Sequence, residues 1–453
     1  MAGLWTIFGP ILTITIAIIS KNALFALFIG LCYFCAGTYG LGFLNHISDC
    51  FATGVNNNGF ILVMVGTLGV MLVIMRRGGG FKAFAGWANK AVASRKQAGG
   101  LIVLLSLLLT CASDLISNLA TGKILRPVVQ QQKLAPQKSA YISECIGPNV
   151  GSVFPYGTYF LFCVGMIGTL LPDVKAIPFF YKGIAFSFHT WLAVLIAILA
   201  ALELIPNLGA MKKYQQLADE GKVNAISGSE AEPMDVMGGS DVPADFGAFF
   251  LPLGGLIIGM LVTSLHAGEV IMIPGAIIGC LVGLVYVVIR GTVKLNEVGN
   301  LMIDGIMEQI PIILLLTFAF AYGASMSVAG MNDFVVAALS DSIPPALLPV
   351  IIFLIGMFVS YTTGSLGSAL VMLLPISLPL GVAVGANLTL TFAATYSGAQ
   401  WGDQLSPLSD VTIENSAANG VSPIEVSTGI LPYRIIDGVL CIILFTVFGF
   451  LFS

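Results

Sequence analysis

Tyr396-Ser-Gly-Ala-Gln-Trp-Gly-Asp-Gln-Leu-Ser-Pro-Leu-Ser-Asp-Val-Thr412 is a polar, glycine-punctuated run lodged between two hydrophobic segments of a very apolar chain. Backbone of this kind cannot face lipid. An unpaired N–H or C=O costs several kcal/mol in hydrocarbon, so irregular chain at membrane depth survives only buried in protein or lining a wet cavity. Three further runs share the character: Cys111-Ala-Ser-Asp-Leu-Ile-Ser-Asn-Leu-Ala-Thr-Gly122, Gly147-Pro-Asn-Val-Gly-Ser152 and Tyr361-Thr-Thr-Gly-Ser-Leu-Gly-Ser368. Each half of the chain thus carries one polar break and then another. That is the sequence mark of a transporter built from repeats, with its site where broken elements meet near the bilayer midplane.

Composition sets the class. The 453 residues are 57% hydrophobic and only 9% charged, and many apolar runs reach the roughly 20 residues that cross a bilayer. The expected fold class is an all-α polytopic membrane protein of two inverted-topology repeats, with about ten transmembrane helices, two re-entrant hairpins and broken helices. A soluble globule is excluded, and a barrel is excluded by segment length and the lack of alternation. The opening Met-Ala-Gly-Leu-Trp has no basic n-region, so the first apolar stretch is expected to be a retained span. The eight cysteines sit in apolar runs and are read as small packing residues, Cys32 and Cys35 included.

Taken in order, spans are read at about 4–19, 22–44 and 59–75, followed by an amphipathic piece near 80–97. The first break falls in an apolar stretch over about 99–130, a broken span covers about 139–171, and another span covers about 183–205. A polar, acid-containing linker occupies 206–245 and is expected to be a solvated connector. The second half repeats the order: spans at about 246–266, 270–289 and 299–328, an interfacial piece near 330–343, a hairpin at about 347–385, a broken helix at about 388–414 and a last span at about 430–452. Residues 1–205 and 246–453 therefore form the two expected repeats.

Cytoplasmic loops collect Lys and Arg, which decides whether the first hairpin crosses or turns back. With both hairpins turning back, Arg76, Arg77, Lys82, Lys90, Arg95 and Lys96 lie inside. Lys21, Lys123, Arg126, Lys133, Lys138, Lys212, Lys213, Lys222, Arg290, Lys294 and Arg434 join them, and only Lys175 and Lys182 lie outside. A crossing would export Lys133 and Lys138 and invert everything after them. The hairpin reading puts loop 76–97 and linker 206–245 in the cytoplasm and both termini outside, in a bacterial cytoplasmic (inner) membrane.

Within the apolar segments the chain keeps Asp114, Glu144, Asp403, Asp410 and Glu414, with Asp304, Glu308 and Asp437 nearer an interface. Carboxylates at such depth face cavities and mark ion or proton pathways. Asp114 and Asp403, each in a polar break, are the first candidates. For Glu308 and Asp437 a place at the cytoplasmic end, or a basic partner, explains as much. Sodium takes hard oxygen ligands, which the breaks offer as Ser117, Asn118 and Thr121 at one tip and Thr362, Thr363 and Ser365 at the other. Gly364 lets backbone bend there. Any single Ser or Thr is more simply a packing residue or a donor to a carbonyl one turn back; the clustering at matching breaks argues otherwise. Half-helices starting after Asn118, Pro148, Gly364 and Pro407 would aim positive ends inward, where an anion fits. A Na+ or H+ site, an organic-anion site, or both are compatible with this set.

Trp401-Gly-Asp-Gln-Leu-Ser-Pro-Leu-Ser-Asp-Val-Thr412, followed by Leu431-Pro-Tyr433, resembles the signature of the NhaC-type sodium/proton antiporters of the ion transporter superfamily, approximately F-G-D-x-x-S-P-I-S-D-T-T and then L-P-Y. Tyr361–Ser368 is similar to that family's threonine/glycine/serine turn, and Asp114-Leu-Ile-Ser-Asn-Leu-Ala-Thr-Gly-Lys-Ile-Leu-Arg-Pro127 to its first-half element. The resemblance implies secondary transport driven by Na+ or H+. Related members carry carboxylates or amino acids. The chain departs from the pattern at Val411-Thr-Ile-Glu-Asn-Ser416 and, before L-P-Y, at Ser422-Pro-Ile-Glu-Val-Ser-Thr428.

The expected function is ion-coupled secondary transport, as Na+/H+ antiport by alternating access with carboxylates at the midplane. Coupled transport or exchange of a small organic solute is the alternative. An intramembrane aspartyl protease built on Asp114 and Asp403 is the rival from the enzyme class, and no H-E-x-x-H motif or histidine beyond His266 supports a hydrolase. No P-loop or nucleic-acid module is present. The expected site comprises Asp114, Ser117, Asn118, Thr121, Glu144, Asn149, Ser152, Thr362, Thr363, Gly364, Ser365, Asp403, Ser406, Asp410 and Thr412, with Asp114, Asn118, Thr363, Ser365 and Asp403 as sodium ligands. Asp403 and Asp114 would trade Na+ and protons, needing no cofactor beyond these ions. The expected partners are the bilayer, the coupling ions, a small organic solute and, by analogy of build, a second copy of the chain.

Overall fold

A computed structural model describes residues 5–20, 22–83, 92, 94–111, 114–221, 242–267, 271–330 and 343–452. The first half runs through α1 (Trp5–Ser20), α2 (Ala23–Tyr39), α3 (Phe43–Arg77), α4 (Arg95–Thr110), α5 (Asp114–Gln131), α6 (Pro136–Gly151), α7 (Thr158–Leu170), α8 (Ala176–Ala185) and α9 (Phe188–Ala201). After α10 (Gly209–Asp219) the second half follows as α11 (Gly247–Ala267), α12 (Ile273–Ile289), α13 (Val298–Val328), α14 (Leu348–Thr363), α15 (Leu366–Val384), α16 (Leu388–Asp403), α17 (Asp410–Asn419) and α18 (Pro423–Leu451). The order recurs: three opening helices, a helix pair, a helix interrupted at 152–157 or 404–409, and a closing segment. No strand occurs among the described residues.

Local sequence explains where these helices stop and start. The Asn387 side chain accepts from the Leu390 N–H at the head of α16, and Ser409 accepts from Val411 at the head of α17. Ser422 and Glu425 form a capping box at α18, with Pro423 at its first position. Gly364 and Gly385 end α14 and α15 in the left-handed conformation.

The halves interleave. One body gathers the opening helices of both, with α3 lying along α13 and also meeting α12, which packs on α11. The other gathers the helix pairs and broken helices, α14 on α16, α4 on α5 and α6, and α17 on α5 and α6. Helix α7 reaches across to α3 and α13. Arg76 at the end of α3 pairs with Glu308 on α13, so Glu308 has a basic partner.

Among the described residues seven helices are long and apolar enough to cross a membrane, eight if Ala176–Ala185 and Phe188–Ala201, bent by 48°, form one span. Two of the seven, Pro345–Thr363 and Leu366–Val384, are the arms of the second expected hairpin, whereas the expected spans at α1 and α12 are apolar but only 16 and 17 residues long, and the broken helices fall short as well. Two cations counted as cytoplasmic are buried in the protein: Lys138 and Arg434 are each 1% exposed. Half of the interfacial piece near 80–97 and half of the linker, and most of the piece near 330–343, lie outside the described residues. The Cys35 and Cys50 thiols meet at 3.8 Å, and all eight cysteines are free.

Where the linker enters α11, Asp245 accepts from the Tyr286 hydroxyl at 2.8 Å, the Gly247 N–H at 2.9 Å and Arg290 at 3.0 Å. Burial opposes its ionisation, but these donors outweigh it and hold the carboxyl below its usual range. Its contribution to stability is present at neutral pH and is lost as pH falls through that lowered value. Asp245→Asn should therefore flatten the fall of melting temperature below about pH 4. Gly364 offers a second test. It has φ 63°, and a Cβ there would stand 2.7 Å from the Leu408 carbonyl carbon and oxygen, whereas Gly385, at φ 70°, faces open space. Gly385→Ala should cost about 1 kcal/mol of left-handed strain. Gly364→Ala should cost clearly more, read as melting temperature in detergent; equal losses would mean that the Leu408 contact carries nothing.

Candidate ion and solute site

A cavity of about 280 Å³ lies between the two bodies. Its polar side is Asp114 and Asn118 of α5, Thr158 of α7, Ser365 at the α14–α15 turn, and Asp410 and Glu414 of α17. Pro311, Ile312, Leu315 and Leu316 of α13 form an apolar wall, with Tyr159 and Phe162 of α7 alongside. No basic residue is among the described lining. A smaller pocket of about 40 Å³ shares Asp114 and Thr158 and reaches Gln309.

Four helices begin at or beside the cavity: α5 at Asp114, α7 at Thr158, α15 at Leu366 and α17 at Asp410. Two expected starts are corrected. Helix α5 begins before Asn118, which sits one turn inside it. Helix α6 runs through Pro148 to Gly151, so the first-half break is 152–157. Pro148 is tolerated because α6 is encased in protein, and the Asn149 amide donates to the Cys145 carbonyl at 2.6 Å. The break itself holds Pro155 and Gly157.

The carboxylates crowd one another. Glu414 accepts from the Asn118 amide at 3.1 Å and lies within charge–charge range of Asp114, Asp410 and Asp403. Asp403, 3% exposed, accepts from the Ser409 hydroxyl at 2.8 Å and from the Leu366 backbone N–H at the head of α15. Like charges this close, walled by hydrocarbon, cannot all be ionised without a cation among them. Among the described residues no three His, Cys, Asp or Glu gather as a metal site, so a sodium ion would take carboxylate, hydroxyl and carbonyl oxygens together.

Behind the cluster is a charged network for which the sequence had named Glu144, Asn149, Thr412 and Asp437 within the membrane, and Arg434 only as a cytoplasmic cation. Arg434 donates to Gln404 at 2.6 Å and stands 3.6 Å from Asp437; the His189 Nδ1 meets Asp437 at 2.5 Å. Gln404 also contacts His189 at 3.3 Å and pairs with the Asn149 amide at 3.2 Å. All are buried, Arg434 and Asp437 at 1% exposure and His189 at 0%. Glu144 accepts from the Thr412 hydroxyl at 3.0 Å and has the Arg434 charge nearby, while its second oxygen has no partner. An Arg and an Asp three apart in an apolar span were the available signal for this network.

The other expected residues divide clearly. Asp114, Asn118, Ser365 and Asp410 meet at the cavity, and Glu414, named as an intramembrane acid only, joins them. Asp403 lies just behind, with Ser406 in the same break accepting from the Leu408 N–H at 3.3 Å. Ser117 donates to the Ser106 carbonyl at 3.0 Å, Thr121 accepts from the Ser106 hydroxyl at 3.5 Å, and Ser152 donates to the Pro148 carbonyl at 2.6 Å. Thr362 and Thr363 both bond back to Val359 at 2.9 Å, so neither hydroxyl is turned to the cavity. Gly364 supplies the turn, and Ser365 caps α15 by accepting from Ser368 at 3.3 Å.

A multi-pass helical protein with broken helices around a carboxylate-lined cavity is an ion-coupled secondary transporter. The chain is 24% identical over 486 residues to an uncharacterized protein of Haemophilus influenzae, covering 100% of this chain and 92% of that one. It is 30% identical over 215 residues to the arginine/ornithine antiporter ArcD of Halobacterium salinarum, over 45% of this chain and 42% of that protein. Its fold is similar to that of MtrF of Neisseria gonorrhoeae, from a class of antimetabolite efflux pumps, with a TM-score of 0.61, 17% identity, and coverage of 91% of this chain and 85% of the other. Residues 150–450 match the Na+/H+ antiporter family, and the chain belongs to it.

Removing one partner of a buried ion pair strands the other, at a cost of about 3–5 kcal/mol. Arg434→Met should destabilise by that order in thermal unfolding, and Arg434→Met/Asp437→Asn should recover part of the loss. A double variant as weak as the single one would detach Asp437 from the pair.

Proposed function

We propose that this transporter exchanges Na+ for protons across a bacterial cytoplasmic membrane by alternating access. The observation that carries the reading is Asp403, 3% exposed, set among carboxylates beside a cavity with no basic residue among its described lining. A carboxylate so placed holds either a proton or a cation, and exchange of the two is antiport. Asp403 and Asp114 carry the exchange. Ser365, Ser409 and carbonyls freed in the 404–409 break complete the cation's shell, and Asp410 and Glu144 set the local field. The recurring element order supports repeats of opposite orientation, which would leave the loop after α3 and the linker in the cytoplasm and both termini outside. A homodimer is expected on build alone, and cross-linking in native membranes tests it.

In liposomes with a pH-sensitive dye inside, external Na+ should drive protons out and turn the interior alkaline. Asp403→Asn should abolish that response while melting as wild type does. Full-rate exchange by this variant would sink the assignment.

A further inference from the structure

We infer that Gln404 is a positioning residue of the exchange site: locked to Asn149 in a reciprocal amide pair, it fixes where Asp403 points and ties the two breaks together. The inference rests on Asp403 as the exchanging carboxylate and adds the side chains that hold it. The G-D-x-x-S-P signature leaves position 404 open, so the motif assigns it no part.

Charge orients the amide. Gln404 Oε1 accepts from the Arg434 guanidinium at 2.6 Å, and a nitrogen turned there would set donor against donor. The Gln404 Nε2 is thereby aimed at the Asn149 Oδ1, 3.2 Å away, while the Asn149 Nδ2 faces Gln404 Oε1 at 3.5 Å and donates to the Cys145 carbonyl at 2.6 Å. Arg434 also donates to the Cys145 sulfur at 3.2 Å, so the bonds close into a ring on one turn of α6. Both amides are 0% exposed, and bulk water does not compete for them.

Asn149 belongs to the last turn of α6, just before the 152–157 break, and Gln404 opens the 404–409 break. One contact thus joins the interrupted helix of each half. Helix geometry makes it bear on Asp403. Successive helical residues project about 100° apart, and Gln404, with φ −71° and ψ −3°, still sends its N–H to the Gln400 carbonyl. Gln404 therefore grips α6 and α18 while Asp403 turns to Ser409 and the Leu366 N–H. Against α14 the same helix end is held without a side chain, since a Cβ on Gly402 would collide with the Met357 carbonyl.

The two exchanging ions do not depend equally on this hold. A proton needs one carboxylate oxygen, whereas Na+ needs several oxygens set together, and such a constellation tolerates displacements of only about 0.5 Å. Loss of the amide pair should therefore fall on Na+ affinity before it falls on turnover.

The test measures Na+-driven proton efflux from proteoliposomes of the full-length protein over a range of Na+, beside melting temperature in Na+ and in K+. Asn149→Leu removes the bridge and leaves Arg434 its Gln404 acceptor; Gln404→Asn, one methylene shorter, loses the reach from the other side. Each should raise the half-saturating Na+ roughly tenfold, the size of one buried hydrogen bond, with the maximal rate falling far less. Each should also lose most of the rise in melting temperature that Na+ gives over K+. A merely structural part would lower the maximal rate and leave the half-saturating Na+ unchanged, and that result overturns the inference. So does a shift in only one of two folded variants, because a pair acts through both members; where one variant does not fold, the other decides alone. Stabilisation by Na+ that both variants lose, in a wild type that moves no protons, overturns the antiport reading and keeps the pair.

Discussion

Hydrocarbon offers a peptide group no partner, and that constraint arranges this molecule. A chain that is 57% hydrophobic can keep irregular backbone only by collecting it, and the breaks at 152–157 and 404–409 and the turn at Gly364 lie in the interior body of helix pairs and broken helices. The collection is tight: Gly364 approaches the Leu408 backbone so closely that a methyl group would collide. Carboxylates and helix starts arrive at the same place because each answers the other. Asp114 and Asp410 sit in the first turns of their helices, where negative charge is favoured.

The charges then sort into two groups. Arg434 is held by Gln404 and Asp437, and Asp437 by His189, in a buried network that fixes α18 against α9 and the end of α16. That cation is committed. Asp114, Asp410 and Glu414 line a cavity with no basic residue among its described lining, and Asp403 lies between the two groups. An internal cation free to reach these acids would compete with any transported one; holding Arg434 in a hydrogen-bonded net keeps it from doing so.

Much of this was legible from residues alone, for physical reasons. Hydropathy located the long spans, and polar backbone in apolar surroundings located Asp114, Asp403 and Asp410. Glu414 could have been added, since it lies four residues after Asp410 and so shares its helix face. Other features depend on direction or long-range pairing. Thr362 and Thr363 have the right chemistry but bond to their own helix, and no local pattern reveals that His189 meets Asp437 across 248 positions. Pro148 marked a break that the packing around α6 suppresses, and Arg434 was counted as a cytoplasmic cation although Asp437, one turn on, signalled a buried pair.

The wall contributed by α13 has a mechanical consequence. Pro311, Ile312, Leu315 and Leu316 offer the carboxylate side nothing to bond to, and the polar partners of Asp403, Glu414 and Arg434 described above all belong to the interior body. Dispersion contacts are short-ranged and non-directional, so one greasy surface can be re-seated against a neighbour in a new register at little cost. The seam beside the cavity is thus greased on its α13 side, while the hydrogen bonds of the charged side close within its own body.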